Sequence, residues 1–270
     1  MKTQLRKVIL ITGASSGIGA ACAAHLARCG YRVYGTSRQE RHVEGFTMLP
    51  MDVTDAASIR RVVDHVAASE SRLDVLINNA GFGYGGSIED TSHEEALDTF
   101  ATNFFGALSM CRAVLPVMRQ QHSGLIINVS SIGGLMGMPY QGVYSASKFA
   151  LEGLTETLRL EVKPFGVQVV LLEPGDVRTS FTANRSPTGA TQAGSVYWDT
   201  YRRVLERFEA DERNGVDPSV IARTVERIVA SRSPRLRYVA GPFYEMLAVW
   251  AKRCLPAGLF EWILAKNFGL

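Results

Sequence analysis

Cysteine is scarce in this chain. The four present, Cys22, Cys29, Cys111 and Cys254, form no Cys-x-x-Cys pair and show no histidine partner at ligand spacing, so neither a disulfide framework nor a metal site is expected. Histidine is scarce too: there are five, the last is His122, and the C-terminal half has none. No block of like charge occurs, and 29 basic residues against 26 acidic ones leave a net charge of +3, which offers no electrostatic footprint for nucleic acid. No uninterrupted apolar run reaches the ~20 residues of a membrane span. Met1 to Lys7 is too short and polar for a signal peptide, so a cytoplasmic protein with reduced thiols is expected. Low-complexity linkers and internal repeats are absent as well, and residues 1–270, 46% of them hydrophobic, read as a single domain able to fill a core.

What is present begins with Val8-Ile9-Leu10-Ile11, an apolar run fitting a buried parallel strand, which leads straight into Thr12-Gly13-Ala14-Ser15-Ser16-Gly17-Ile18-Gly19. An Ala-rich helix, Ala20 to Cys29, follows and ends with Gly30 at C′. Strand, glycine turn and helix together make a phosphate cradle, because glycines let the backbone approach a pyrophosphate while helix N-terminal N–H groups hold its charge. The same residues fit Gly-x-Ser-x-Gly, which would make Ser15 a hydrolase nucleophile. Chain order opposes that reading, since the triad histidine should come late. The next strand, Tyr31 to Arg38, ends where a dinucleotide's adenosine ribose is met. It ends on Arg38 and not on a carboxylate, which favours NADP(H) over NAD(H) because a guanidinium pairs with a 2′-phosphate; an ordinary exposed arginine is the alternative, and Arg41 nearby is a candidate helper to Arg38.

Alternation continues with a helix near Asp55–Ser69, strand Leu73–Asn78, helices across Ser92–Gln121, strand Leu125–Ser130, helix Gly142–Lys163 and strand Val167–Glu173. This pattern predicts an α/β fold, a doubly wound parallel (Rossmann) sheet with helices on both faces and a ligand crevice at the carboxyl ends of the strands. On the helix from Gly142, Tyr144 and Lys148 share a face, and Ser130-Ser131 lies upstream across a glycine-rich stretch. A phenol titrates near pH ~10. A neighbouring cation favours its ionised form and makes it a usable acid/base near neutrality.

In this order the motifs resemble the short-chain dehydrogenase/reductase family from Lys7 to about Thr179. The cofactor turn matches Thr12-Gly13-x-x-x-Gly17-Ile18-Gly19, with Ser15 and Ser16 inside it; the adenine contact matches Asp52-Val53; the sheet-supporting turn matches Asn78-Asn79-Ala80-Gly81. Asn103, Ser131, Tyr144 and Lys148 match the catalytic set, and Pro174-Gly175 with Thr179 matches the nicotinamide turn. Ser131 is carried over because it stands thirteen residues before Tyr144; Ser130 is the fallback. The resemblance implies NADP(H)-linked interconversion of a carbonyl and an alcohol. In it Tyr144 is the proton donor and Ser131 orients the oxygen. Lys148 binds the nicotinamide ribose, Asn103 keeps a water joining Lys148 to solvent, and Thr179 with the backbone of Val177 takes the carboxamide. The loop Gly133-Gly134-Leu135-Met136-Gly137-Met138-Pro139 is similar to the branch of 17β-hydroxysteroid and retinol dehydrogenases, which implies a small lipophilic substrate such as a steroid or retinoid. A catalytically silent NADP-sensing protein on the same fold is the other reading.

Residues about 180–215 loosen into a candidate substrate lid in which Tyr197, Trp198 and Tyr201 are either pocket lining or core anchors. A helix from Pro218 to Ser231 and a strand Leu236–Ala240 follow. The apolar segment about 243–270 is expected to close the lipophilic side of the pocket and to rest on the body or on a partner in a homodimer or homotetramer. Peripheral membrane contact is the alternative. Cofactor binding is expected to be independent of it.

Overall fold

The computed structural model describes residues 6–179, 181 and 187–270. The lid stretch Asn184-Arg185-Ser186 lies outside them. Seven strands form one parallel sheet: β1 (Val8–Ile11), β2 (Arg32–Ser37), β3 (Thr47–Pro50), β4 (Val75–Asn78), β5 (Gly124–Val129), β6 (Val167–Pro174) and β7 (Arg237–Ala240), in the order β3-β2-β1-β4-β5-β6-β7. The order reverses between β1 and β4, and that switch point opens the crevice.

The two-residue period of a strand divides the core. Ile9 and Ile11 point to one face, with Ile77, Ile127 and Leu172, and are covered by α1 (Gly17–Arg28) and α7 (Pro218–Ala230). Val8 and Leu10 point to the other, with Leu76, Ile126 and Val169, and are covered by α2 (Ala56–Glu70), α4 (Ala107–Gln120) and α5 (Gly142–Val162). Burial on both faces explains why these strands read as continuous apolar runs. The span His93–Gln120 is long and apolar enough by composition to cross a membrane, but within it Met110, Cys111, Val114 and Met118 are buried on the sheet.

Several boundaries differ from the sequence reading. α1 starts at Gly17 instead of Ala20, which places the second and third glycines inside its first turn. β4 starts at Val75 instead of Leu73, and β3 has no counterpart in the sequence reading, because a four-residue strand at the sheet edge carries little periodic signal. The region Ser92–Gln121 is α3 (His93–Phe100), capped by a Ser92/Glu95 box, then a π-helical turn over Ala101–Gly106, then α4. Much of the expected lid is helical, as α6 (Trp198–Asn214), with Tyr201, Val204 and Phe208 buried. The tail forms α8 (Phe243–Cys254) and α9 (Ala257–Phe268).

Candidate active site

The β1–α1 turn is built for an anion. Gly13 (φ +66°) and Gly17 (φ +55°) occupy the left-handed region, and a Cβ on Gly19 would stand 2.3 Å from the Gly13 carbonyl oxygen and 2.4 Å from Asn79 Nδ2. Asn79 ties the turn to the end of β4, donating from Nδ2 to the Thr12 and Gly13 carbonyls, while Thr12 Oγ1 accepts from the Asn79 and Ala80 amides, each at 3.0 Å. Ser16 is the N-cap of α1 but its side chain makes no capping bond, and no acidic residue occupies the first turn. The positive end of α1 is therefore left to a ligand, and the residues fit a dinucleotide pyrophosphate. Ser15 and Ile18 are half-buried in the same turn. The one histidine on α1, His25, lies roughly 12 Å along the helix from Gly17, bonded to Glu226, so it forms no triad with Ser15.

At the adenosine end, Arg38 follows β2 directly and is exposed. Hydrogen bonds from Thr54, and to a smaller extent the charge of Arg38, hold the Asp52 carboxyl below its ordinary range. Val53 packs on the π-helical turn, where a Cβ on Gly106 would stand 2.9 Å from Val53 Cγ2.

The catalytic candidates converge at the start of α5. A Cβ on Gly133 would lie 3.4 Å from Tyr144 Cε1, 3.5 Å from Ser131 Oγ and 3.7 Å from Met138 Cγ, so phenol, hydroxyl and an apolar wall border one space. Ser130 faces elsewhere: a Cβ on Gly134 would meet its Oγ at 2.6 Å and Lys148 Cβ at 3.1 Å, on the buried flank of α5. The geometry thus separates the serine pair and puts Ser131 beside Tyr144. Lys148 Nζ donates to the Val129 carbonyl at 3.0 Å and lies 5.8 Å from the Tyr144 ring centre. Burial pulls the ammonium down to about 8, with Glu152 opposing the shift. Asn103, in the π-helical turn, accepts from the Phe82 amide and donates to the Phe82 carbonyl and to Ser147 Oγ. Its Oδ1 and Lys148 Nζ both face Gly81, where a Cβ would stand 3.1 and 3.5 Å from them.

At the end of β6, Gly175 donates to the Ala240 carbonyl, and the Asp176 carbonyl and Arg178 amide bond Val216 on either side of Val177. The side chain of Thr179 lies 3.6 Å from where a Cβ of Gly17 would be, and its hydroxyl donates to Glu212. The tail reaches this turn too. Glu245 of α8 accepts from the Asp176 amide at 2.9 Å, and a Cβ on Gly175 would collide with its Oε2 at 1.7 Å. Burial, then the bond to and charge of Asp176, push the Glu245 carboxyl well above the ordinary carboxylate range. The expectation that the tail is independent of cofactor binding is corrected: α8 buttresses the Pro174-Gly175 turn.

Other features escaped the sequence reading. Tyr140 adopts φ +56°, a strained conformation for a bulky residue, and packs against Tyr201 with ring centres 5.8 Å apart and planes tilted by 50°. Behind Lys148, Arg237 bridges Glu152, Glu156 and Glu173, and burial, then the charge of Glu152, push Glu173 up to about 7. His25, Cys29 and Glu226 bring three ligand-type atoms within 4.8 Å, correcting the statement that no cysteine has a histidine at ligand spacing. They already bond one another, and burial with Glu226 raises the Cys29 thiol, against the thiolate a metal needs.

Gly83 is a missed residue with a direct consequence. A Cβ there would stand 2.9 Å from Tyr144 Cδ2. Gly83→Ala is expected to displace the phenol by a few tenths of an ångström and lower kcat by about 10- to 100-fold, with cofactor affinity close to the parent's. Steady-state kinetics beside a cofactor titration check this, and an unchanged kcat refutes it.

The short chain dehydrogenase family model matches residues 7–189. The chain belongs to the short-chain dehydrogenase family. It is 46% identical over 259 residues to a 3-ketodihydrosphingosine reductase of Bacteroides thetaiotaomicron, with 96% of each chain covered. Among solved structures it resembles a short-chain dehydrogenase from Streptomyces avermitilis (TM-score 0.81, 32% identity, 98% of each chain). It also resembles a short chain dehydrogenase/reductase from Burkholderia phymatum in complex with NAD (TM-score 0.80, 25% identity, 97% and 96% covered). The protein is an oxidoreductase of a nicotinamide cofactor on the Rossmann fold that the sequence predicted.

Proposed function

We propose that this dehydrogenase is an NADPH-dependent reductase of a long-chain ketone of the 3-ketodihydrosphingosine class. The observation that carries the reading is the space beside Gly133, bordered by Tyr144, Ser131 and Met138: a proton donor, an orienting hydroxyl and an apolar wall. The 46% identity to the Bacteroides relative supports a long-chain amino ketone over the steroid or retinoid that the loop resemblance implied. Bound cofactor supplies the hydride. Tyr144 gives a proton to the carbonyl oxygen and Ser131 Oγ holds that oxygen in place. Lys148 is buried with its charge beside the phenol, favouring the phenolate left after transfer. A water held by Asn103 Oδ1 over Gly81 would restore the proton through Lys148. Val177 and Thr179 would hold the carboxamide. Phe181, 5.7 Å from the Tyr144 ring, supports a covering role for the segment about 180–215.

NADP(H) preference rests on Arg38. Arg38→Asp is expected to weaken NADPH binding by about 10- to 100-fold, as for a lost charge-assisted hydrogen bond, and to favour NADH; equal affinity of the parent for both forms would refute the preference. The four cysteines are free, which supports a cytoplasmic location. Exposed Leu97, Phe105, Phe149 and Leu160 on α3, the π-helical turn and α5 support a homodimer or homotetramer. The reading as a whole is tested by NADPH oxidation with 3-ketodihydrosphingosine in detergent beside steroid and retinoid ketones. Turnover of a steroid or retinoid alone would overturn the substrate class.

A further inference from the structure

We propose that the outer face of α8 and α9 docks on an anionic lipid bilayer. The inner faces of both helices are accounted for. Val249 and Phe260 are buried with Ile132 and Met136 of the active-site loop, and Phe268 is buried with Val204 and Phe208 of α6. A helix resting on a globular body by one stripe ordinarily presents polar residues on the other. These do not. On α8, Phe243 (76% exposed), Leu247 (52%) and Trp250 (61%) recur at i, i+4 and i+7; on α9, Leu259 (45%), Trp262 (58%) and Ile263 (41%) recur at i, i+3 and i+4. Because Val249 of α8 and Phe260 of α9 enter the same buried cluster, the opposite faces of the two helices turn outward together.

Charge selects the occupant. On the two helices Arg253 and Lys266 are exposed against Glu261, since Glu245 is buried and Lys252 turns inward to donate to the Leu135 carbonyl at 2.6 Å. Lys266 Nζ lies 5.1 Å over the Trp262 ring, a cation–π contact that holds a positive charge beside the exposed aromatic. Aromatic and aliphatic residues rimmed by cations suit the boundary of an anionic membrane. A second copy of the chain is the poorer occupant, because a twofold contact through this face sets the same cations against themselves.

The location adds a consequence that rests on the proposed substrate class, although docking itself does not. Leu255, Phe260 and Leu264 line a depression with Gly137 of the active-site loop, edged by Lys252 and Glu261. A long acyl chain leaving the bilayer would enter there, roughly one helix diameter of ~10 Å from the lipid.

The test is flotation of the full chain with phosphatidylcholine vesicles made with and without phosphatidylglycerol. Binding is expected only with phosphatidylglycerol, is expected to weaken with salt, and is expected to fall by at least about tenfold in Trp250→Ser/Trp262→Ser. Arg253→Glu/Lys266→Glu, which leaves the apolar residues in place, should lose the preference for anionic vesicles even if the tryptophan variant folds poorly. Absence of flotation with either vesicle overturns the proposal, as does equal flotation of parent and both variants. A parent dimer that becomes monomeric in the tryptophan variant by light scattering makes this face a subunit interface instead. Turnover in detergent is independent of lipid docking, so failure of flotation and failure of the substrate assignment are read separately.

Discussion

Tyr144→Phe is expected to lower kcat by about 10²–10⁴-fold, the range for loss of a positioned general acid, while leaving cofactor affinity within about twofold. The ring keeps its contact with Phe181 and its place beside Gly83, so only the hydroxyl is removed. Ser131 Oγ borders the same space but is a far weaker acid than a phenol beside a cation, so it does not substitute. Single-turnover measurement with the proposed ketone isolates the chemical step. A variant with near-parental turnover ends the assignment of Tyr144.

Lys148→Met is expected to separate activity from stability. Activity should fall by about 10²-fold or more, because the charge beside the phenol is gone. Stability should not fall. Burial holds the folded ammonium at about 8, below its ordinary value of 10.5, so the charged form is disfavoured in the folded state near neutrality. That penalty is on the order of 3 kcal/mol, offset by about 1 kcal/mol for the hydrogen bond to Val129 that methionine cannot make. The sign in pH follows from proton counts: between about 8 and 10.5 the unfolded chain binds more protons at this site than the folded one, so the Lys148 contribution makes the parent more stable as pH rises through that window. The variant should lack this increment. Thermal melts of the apo protein across pH 7–11 measure it. A Tm for Lys148→Met well below the parent's at pH 7 would show that the ammonium is a net structural asset and refute the account.

Legibility in the sequence followed from how local each determinant is. The β1 run, the glycine turn and the Tyr144–Lys148 pair depend on neighbours within one strand or one helical turn, so their types and placement were readable. Edges were not: β3 is too short to show a period, and α1 begins three residues early because glycine, a poor helix former, is used there for its close backbone approach. Gly83, Tyr140 and the contact of Gly175 with α8 could not be found from spacing, since what makes each matter is an atom from a distant element: the Tyr144 ring, the Tyr201 ring and the Glu245 carboxyl.

By itself, then, the sequence determined the doubly wound α/β class and singled out the glycine turn and the Tyr144–Lys148 pair as candidates for cofactor binding and proton transfer, because periodicity, glycine at fixed offsets and i, i+4 pairing act over a few residues. Only the tertiary structure decided which of Ser130 and Ser131 faces the phenol, since adjacent residues after a strand point to opposite sides. It alone placed Asn103 in a π-helical turn whose bonds reach Phe82 and Ser147. It alone joined the tail to the cofactor turn through Glu245 and left tryptophans of α8 and α9 facing outward. Hydrophobic content reports that a segment must be covered. Which face is covered, and by what, depends on contacts between residues far apart in the chain, and no local pattern encodes them.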